Sequence, residues 1–167
     1  MPDRQGFALD DGEVMGPVAE FAVAHGLPVL THSSEPVGHQ YPGKGEVTPD
    51  KLYRFVTRFP ALRAVLAHWG GGLPFYALMP EVKAALANVY FDTAASPFLY
   101  RPQVFSHVSE ILGADKILFG TDFPLIPQSR LIRDVRALKL PAGAEALILG
   151  ENARKLLGLT QTAATGG

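Results

Sequence analysis

The chain has 167 residues, 47% of them hydrophobic and 19% charged, with 15 Lys+Arg against 16 Asp+Glu for a formal charge of -1. This balance excludes a disordered chain, and without a run of like charge it argues against nucleic acid or an anionic membrane surface as partner. There is no cysteine, so disulfides, thiolate nucleophiles and sulfur-ligated zinc are excluded, and any metal must be held by nitrogen and oxygen.

The length predicts one domain over residues 1–159, with 160–167 a disordered tail. Residues 1–11 are polar and rich in Gly and Asp and lack the basic-then-apolar pattern of a signal peptide; no apolar stretch approaches the ~20 residues of a membrane span, so a cytoplasmic protein is expected. A helix is predicted over residues 14–25, closed by Gly26, followed by a strand running Pro28-Val29-Leu30-Thr31-His32. After a long loop, Thr48-Pro49-Asp50 forms an N-cap with Pro at the first helical position, and Leu52, Phe55, Val56 and Phe59 share one helix face. The second strand is Arg63 through His68; a helix opened by Pro74 carries Phe75, Leu78, Val82, Ala85 and Leu86. Asn88-Val89-Tyr90-Phe91-Asp92 is the third strand, and Val104, Val108, Ile111 and Leu112 mark the next helix, ended by Gly113. The fourth strand runs from Lys116 to Asp122, a helix carries Leu131, Ile132, Val135 and Leu138, and residues 145–159 read as one or two short helices.

The strand runs are almost continuously apolar, as in a parallel sheet covered on both faces. Their starts are 35, 25 and 28 residues apart, near the ~31 residues per unit of a (β/α)8 barrel of about 250 residues. A flavodoxin-like open sheet has similar spacing and is the rival. The polar residues favour the barrel: His32, His68, Asp92 and Asp122 all close strands, and the carboxyl ends of barrel strands converge on one mouth. Four strands are half of eight. The expected fold is therefore α/β, the carboxyl-terminal half of a TIM barrel with four parallel strands and flanking helices.

Three strand ends carry the candidate chemistry. His32 opens the loop Ser33-Ser34-Glu35-Pro36-Val37-Gly38-His39-Gln40-Tyr41-Pro42-Gly43-Lys44; His68 runs into Trp69-Gly70-Gly71-Gly72; Asp122 stands in Phe119-Gly120-Thr121-Asp122-Phe123-Pro124. Two imidazoles and a carboxylate suit a divalent metal, zinc first and manganese second, with one group left to handle a proton. Glu35, His39, Tyr41 and Lys44 either cover the mouth and touch substrate or form a solvated loop. Asp92 either lines the pocket or bonds a turn, and Trp69 is either an aromatic wall or packed under the adjacent loop. The glycine triplet has neither the spacing nor the Lys-Ser/Thr of a phosphate loop.

The segments Thr-His-Ser-Ser-Glu-Pro-Val-Gly-His around His32, Ala-His-Trp-Gly-Gly-Gly around His68 and Phe-Gly-Thr-Asp-Phe-Pro around Asp122 resemble the fifth-, sixth- and eighth-strand motifs of the amidohydrolase superfamily. The resembling branch is the amidohydrolase-related group of metal-dependent hydrolases and non-oxidative decarboxylases, and Gly150-Glu151-Asn152-Ala153-Arg154-Lys155-Leu156-Leu157 resembles its carboxyl terminus. The resemblance implies that His32 is a metal ligand, that Asp122 is a ligand exchanging a proton with metal-bound water, and that His68 is the catalytic or second-site histidine. It implies hydrolysis of a small amide, ester or carboxylate-bearing substrate, with non-oxidative decarboxylation as the alternative. The family's first-strand His-x-His pair has no counterpart here: His25, His39 and His107 stand apart. A second expectation follows, a partner-dependent or non-catalytic half barrel. Its exposed edges would be closed by a homodimer, with four imidazoles and two carboxylates at one mouth, or by a separate amino-terminal half.

Overall fold

The computed structural model describes Pro2 and residues 5–159; the predicted tail, 160–167, lies outside the described residues. Helix α1 (Gly12–Ala24) starts where the Asp11 carboxylate accepts the Glu13 N–H at 2.9 Å and ends at His25, followed by Gly26 at φ 63°. Strand β1 (Val29–Thr31) leads through the long loop to α2 (Pro49–Arg58). Thr48 is extended and caps by position; its hydroxyl bonds Asp50 and not the helix backbone.

Strand β2 (Ala64–Leu66) passes into the short turn α3 (Ala67–Gly70). The predicted helix over 75–86 is two pieces, a 3-10 segment (Leu73–Leu78) and α4 (Pro80–Ala85). Pro80 breaks it, because the residue before a proline is pushed out of the α region, and Met79 is extended at φ -86°, ψ 122°. Then follow β3 (Val89–Asp92), α5 (Ser96–Leu99), α6 (Val104–Leu112), β4 (Ile117–Leu118), α7 (Gln128–Ala137), α8 (Ala144–Ala146) and α9 (Asn152–Leu156).

All four strands are parallel, in the order β1-β2-β3-β4, with Leu30, Val65 and Tyr90 in register. This sequential order decides between the two expected architectures: a doubly wound sheet reverses its strand order at a switch point, and a barrel does not. One sheet face sends Ala64, Leu66, Val89, Phe91 and Ile117 into the main core against α2, α6 and α7. The other carries Val65 and Leu118 against Leu156 of α9, with Tyr90 and Ala153 at its margin.

The carboxyl-terminal segment resembling the family's ending acts as a floor. Asn152, 3% exposed, donates through Nδ2 to the carbonyls of Ala114 and Ile117, each at 2.8 Å, and the Arg63 guanidinium donates to Leu156 O at 3.0 Å. These bonds satisfy carbonyls at the start of β4 and on α9. Beyond them, Leu30 of edge strand β1 is 66% exposed, and Val14, Val18 and Phe21 form an exposed i, i+4, i+7 stripe on α1. Among the described residues, no helix is long and apolar enough to cross a membrane.

Candidate active site

The three expected strand-end residues meet. His32, His68 and Asp122 line one cavity of about 550 Å³ together with His39 and Tyr41 from the loop after β1. The rest of the lining includes the apolar side chains of Ala95, Phe98, Leu99 and Leu125. The His32 and His68 rings stand edge to face with centroids 4.9 Å apart.

His68 is held from β3. Its backbone N–H donates to Asp92 Oδ1 at 3.0 Å, and the same oxygen accepts the Ala94 N–H at 2.9 Å. The ring nitrogen Nδ1 lies 3.2 Å from the Ala94 carbonyl. A carbonyl only accepts, so this bond puts the hydrogen on Nδ1 and leaves Nε2 to work in the cavity. His32 Nε2 pairs with Ser34 Oγ at 2.9 Å, and that oxygen also accepts the Gly45 N–H at 2.9 Å.

Asp92 thus bonds the turn and sets His68, and does not line the cavity. Burial pushes its carboxyl above the usual carboxylate range, the Asp122 charge adding to this against the two N–H bonds and His68. Glu35 also lies behind the cavity wall, where Oε2 accepts the Tyr41 hydroxyl at 3.1 Å. Burial first, then the charge and hydrogen bond of Glu35, hold the Tyr41 phenol up at about 12. Trp69 is fully buried: its Nε1–H donates to Ser96 Oγ at 2.6 Å and its ring stands edge-on to Phe105. Its aromatic-wall expectation is corrected, because a side chain engaged on both its polar tip and its ring face has no surface left for a ligand. Lys44 turns back on its own loop, donating to the carbonyls of Val37 and His39.

Backbone strain gathers at this mouth. His68, Trp69, Gly70, Gly71 and Gly72 are five consecutive left-handed residues, φ 55° to 98°, and Ala95 and Asp122 also sit at φ 56° and 60°. For a residue with a Cβ this costs about 1–2 kcal/mol. His68, Ala95 and Asp122 all line the cavity, and such strain persists where the surrounding structure over-determines it. A Cβ on Gly71 would stand 2.4 Å from Ser34 O, so only glycine lets the turn rest on the loop that follows β1. Ala95, Phe98, Leu99 and Leu125 were not foreseen as site residues; apolar side chains carry no chemical signal in sequence. Ser34, Thr93 and Ser96 were also missed. Thr93 Oγ1 donates to Gly120 O at 2.8 Å and accepts the Gly120 N–H at 3.0 Å, which ties the end of β3 to that of β4.

The sequence matches the Amidohydrolase family over residues 1–159. The chain belongs to the amidohydrolase family. The chain is 28% identical over 138 residues to 6-methylsalicylic acid decarboxylase from Penicillium expansum, a match covering 65% of this chain and 42% of that protein. Its fold is similar to that of a dihydroxybenzoic acid decarboxylase from a Polaromonas species, crystallised with manganese and 2-nitroresorcinol: TM-score 0.75, 22% identity, 92% of this chain and 56% of that one. It is also similar to an uncharacterized TIM-barrel protein from Bordetella bronchiseptica, with TM-score 0.67, 25% identity, 91% of this chain and 52% of the other. The chain thus spans about half the length of the relatives it matches. With four sequential parallel strands it is the carboxyl-terminal half of a (β/α)8 barrel.

The donors in the cavity are of the kind that hold a divalent metal, imidazole nitrogen and carboxylate oxygen. Their number falls short: among the described residues no group of three or more His, Asp or Glu side chains is placed to hold a metal ion.

Proposed function

We propose that this chain carries the carboxyl-terminal part of the active site of a non-oxidative decarboxylase acting on a small aromatic carboxylic acid. The observation that carries the reading is the cavity itself, where the His32, His39 and His68 imidazoles and the Asp122 carboxylate share the lining with the apolar Phe98, Leu99 and Leu125. The apolar lining suits a planar ring, and the polar lining suits its carboxylate and ring hydroxyls. The curated fungal relative, a decarboxylase of 6-methylsalicylic acid, supports decarboxylation over the hydrolysis that the sequence motifs equally allowed.

The chemistry needs a proton delivered to the ring carbon that bears the carboxylate. When that C–H bond has formed, the C–C bond breaks, its electron pair returns to the ring and CO2 leaves. Asp122, at the rim, gives the proton and is reprotonated from solvent. His68, with its tautomer set by the Ala94 carbonyl, orients the substrate through Nε2. His32 and Asp122 are the donors this chain would contribute to a divalent ion, zinc or manganese. The rest of the ligand set must come from residues beyond these.

The half-barrel architecture favours a second reading, in which a partner completes the site. Exposed Leu30 on the β1 edge and the Val14, Val18 and Phe21 stripe of α1 are what an adjoining strand–helix unit would cover. That unit is an amino-terminal half barrel or a second copy of this chain.

The test is product analysis with 6-methylsalicylate and 2,6-dihydroxybenzoate, beside a panel of aryl amides and esters, in Zn²⁺ or Mn²⁺. Loss of the ring carboxyl, abolished in His68→Asn, supports the decarboxylase. Acyl cleavage replaces it with a hydrolase. Absence of both, in a chain that elutes as a monomer, leaves the partner-dependent half barrel.

A further inference from the structure

The loop between β1 and α2 is braced at three points, and the last of them reaches His32. At its start, the Tyr41 hydroxyl donates to Glu35 Oε2 at 3.1 Å, drawing the loop back on itself across six residues. Glu35 is half-buried, and its other carboxylate oxygen, Oε1, is buried without a hydrogen-bond partner among the described residues. In the middle, the Lys44 ammonium donates to Val37 O at 3.0 Å and His39 O at 3.2 Å and lies 5.8 Å from the Tyr41 ring centroid. At its end, the Gly45 N–H donates to the fully buried Ser34 Oγ, which is the oxygen paired with His32 Nε2. Ser34 itself is fixed, since its N–H donates to Val47 O at 2.8 Å.

We infer that Glu35 and Tyr41 form a clasp that seats residues 36–45 as a wall of the cavity, and that Ser34 passes the seating of that loop to the His32 ring. Glu35 and Tyr41 are positioning residues in this scheme. Because Gly45 N–H and the His32 ring share one hydroxyl, a loop that lifts withdraws a donor from Ser34 Oγ. The hydroxyl then reorients, and the imidazole changes its hydrogen-bond partner or angle. Loop and ring move together because Ser34 has little slack: its N–H is held by Val47 O, and the Gly71 turn lies against its carbonyl with no room for a Cβ. The inference rests on His32 being a site residue, but neither readout below depends on turnover.

The experiment uses the full chain with Tyr41→Phe, Glu35→Ala, Glu35→Gln and Ser34→Ala. Limited trypsin digestion after Lys44 reports the loop, and imidazole ¹⁵N–¹H correlation spectra report the His32 ring. Releasing the clasp in Tyr41→Phe or Glu35→Ala should raise cleavage by about tenfold, the effect of losing one hydrogen bond from a locally opening segment. The His32 signals should move toward their Ser34→Ala positions. Glu35→Gln, which keeps an acceptor for the Tyr41 hydroxyl, should stay close to wild type in both. Unchanged cleavage in Tyr41→Phe, a variant that removes one oxygen and preserves the ring, would overturn the clasp. Faster cleavage with unmoved His32 signals would overturn the coupling. A failed decarboxylase assay leaves both outcomes readable.

Discussion

Gly71→Ala is the sharpest perturbation of the mouth, because two separable costs meet there. The first is conformational. At φ +60° an alanine pays the left-handed penalty of about 1–2 kcal/mol. The second is steric: the new Cβ would stand 2.4 Å from Ser34 O and 2.8 Å from Ser34 C, both backbone atoms. Relieving that contact needs the turn or the β1 loop to move by roughly 1 Å, and overpacking of this kind costs about 1–3 kcal/mol. The sum is a loss of about 2–5 kcal/mol. Gly26→Ala supplies the control. Its φ is +63° and the nearest atom is the far end of Arg63 at 3.4 Å, so it should lose only the conformational part, about 1–2 kcal/mol. Urea unfolding of both variants and wild type, compared at constant m, gives the difference directly. If Gly71→Ala and Gly26→Ala fall within about 0.5 kcal/mol of each other, the resolution typical of additive surface effects, the close packing of the glycine turn on Ser34 is refuted.

Asn152→Ala removes both Nδ2 hydrogen bonds, to Ile117 O and to Ala114 O, the latter still accepting the Ile117 N–H, so unfolding free energy should fall by about 1–3 kcal/mol in chemical denaturation; an unchanged midpoint would show that α9 is no floor to the sheet. Trp69→Phe keeps the ring against Phe105 but removes the Nε1–H bond to Ser96 Oγ, whose hydroxyl still donates to Thr93 O at 2.7 Å, which predicts a loss of about 0.5–1.5 kcal/mol in the same assay. Asp92 supplies a pH test. Its folded carboxyl titrates above the unfolded value of about 3.9, so the folded state binds its proton more tightly. The stability this adds is complete below the unfolded value and is lost as pH rises through the folded one. Asp92→Asn, which keeps the Oδ1 acceptor, should therefore gain on wild type as pH rises from 4 toward neutrality, and parallel stability curves would contradict the shift.

How much of this could be read without coordinates depends on the kind of interaction. The four strands and most of the helices were legible because apolar continuity, helical periodicity and the punctuation of Thr48-Pro49, Gly26 and Gly113 are local properties of the chain, whereas the helix expected over 75–86 breaks at Pro80. The polar residues His32, His68 and Asp122 were legible because each closes an apolar run, which places it at a strand end before any strand has been paired. The same reading missed the apolar lining of Phe98, Leu99 and Leu125, whose role comes only from what shares the cavity with them. It also left Asp92 and Trp69 open, since a carboxylate that lines a cavity and one that braces a turn look alike along the chain.

What sequence alone determined, then, was most of the elements and three strand-end residues, His32, His68 and Asp122, that line one cavity. Tertiary structure decided the rest. The sequential order of four parallel strands chose the barrel over the open sheet, a property of pairing between segments that spacing does not encode. Three-dimensional packing turned Trp69 inward to Ser96, put Asp92 beneath His68, and made α9 the floor of the sheet. The physical reason is common to all of them: periodicity and capping act over one turn or one strand, whereas hydrogen-bond partners and cavity walls are set by residues 20 to 40 positions apart, as between His68 and Asp92 or Asn152 and Ile117.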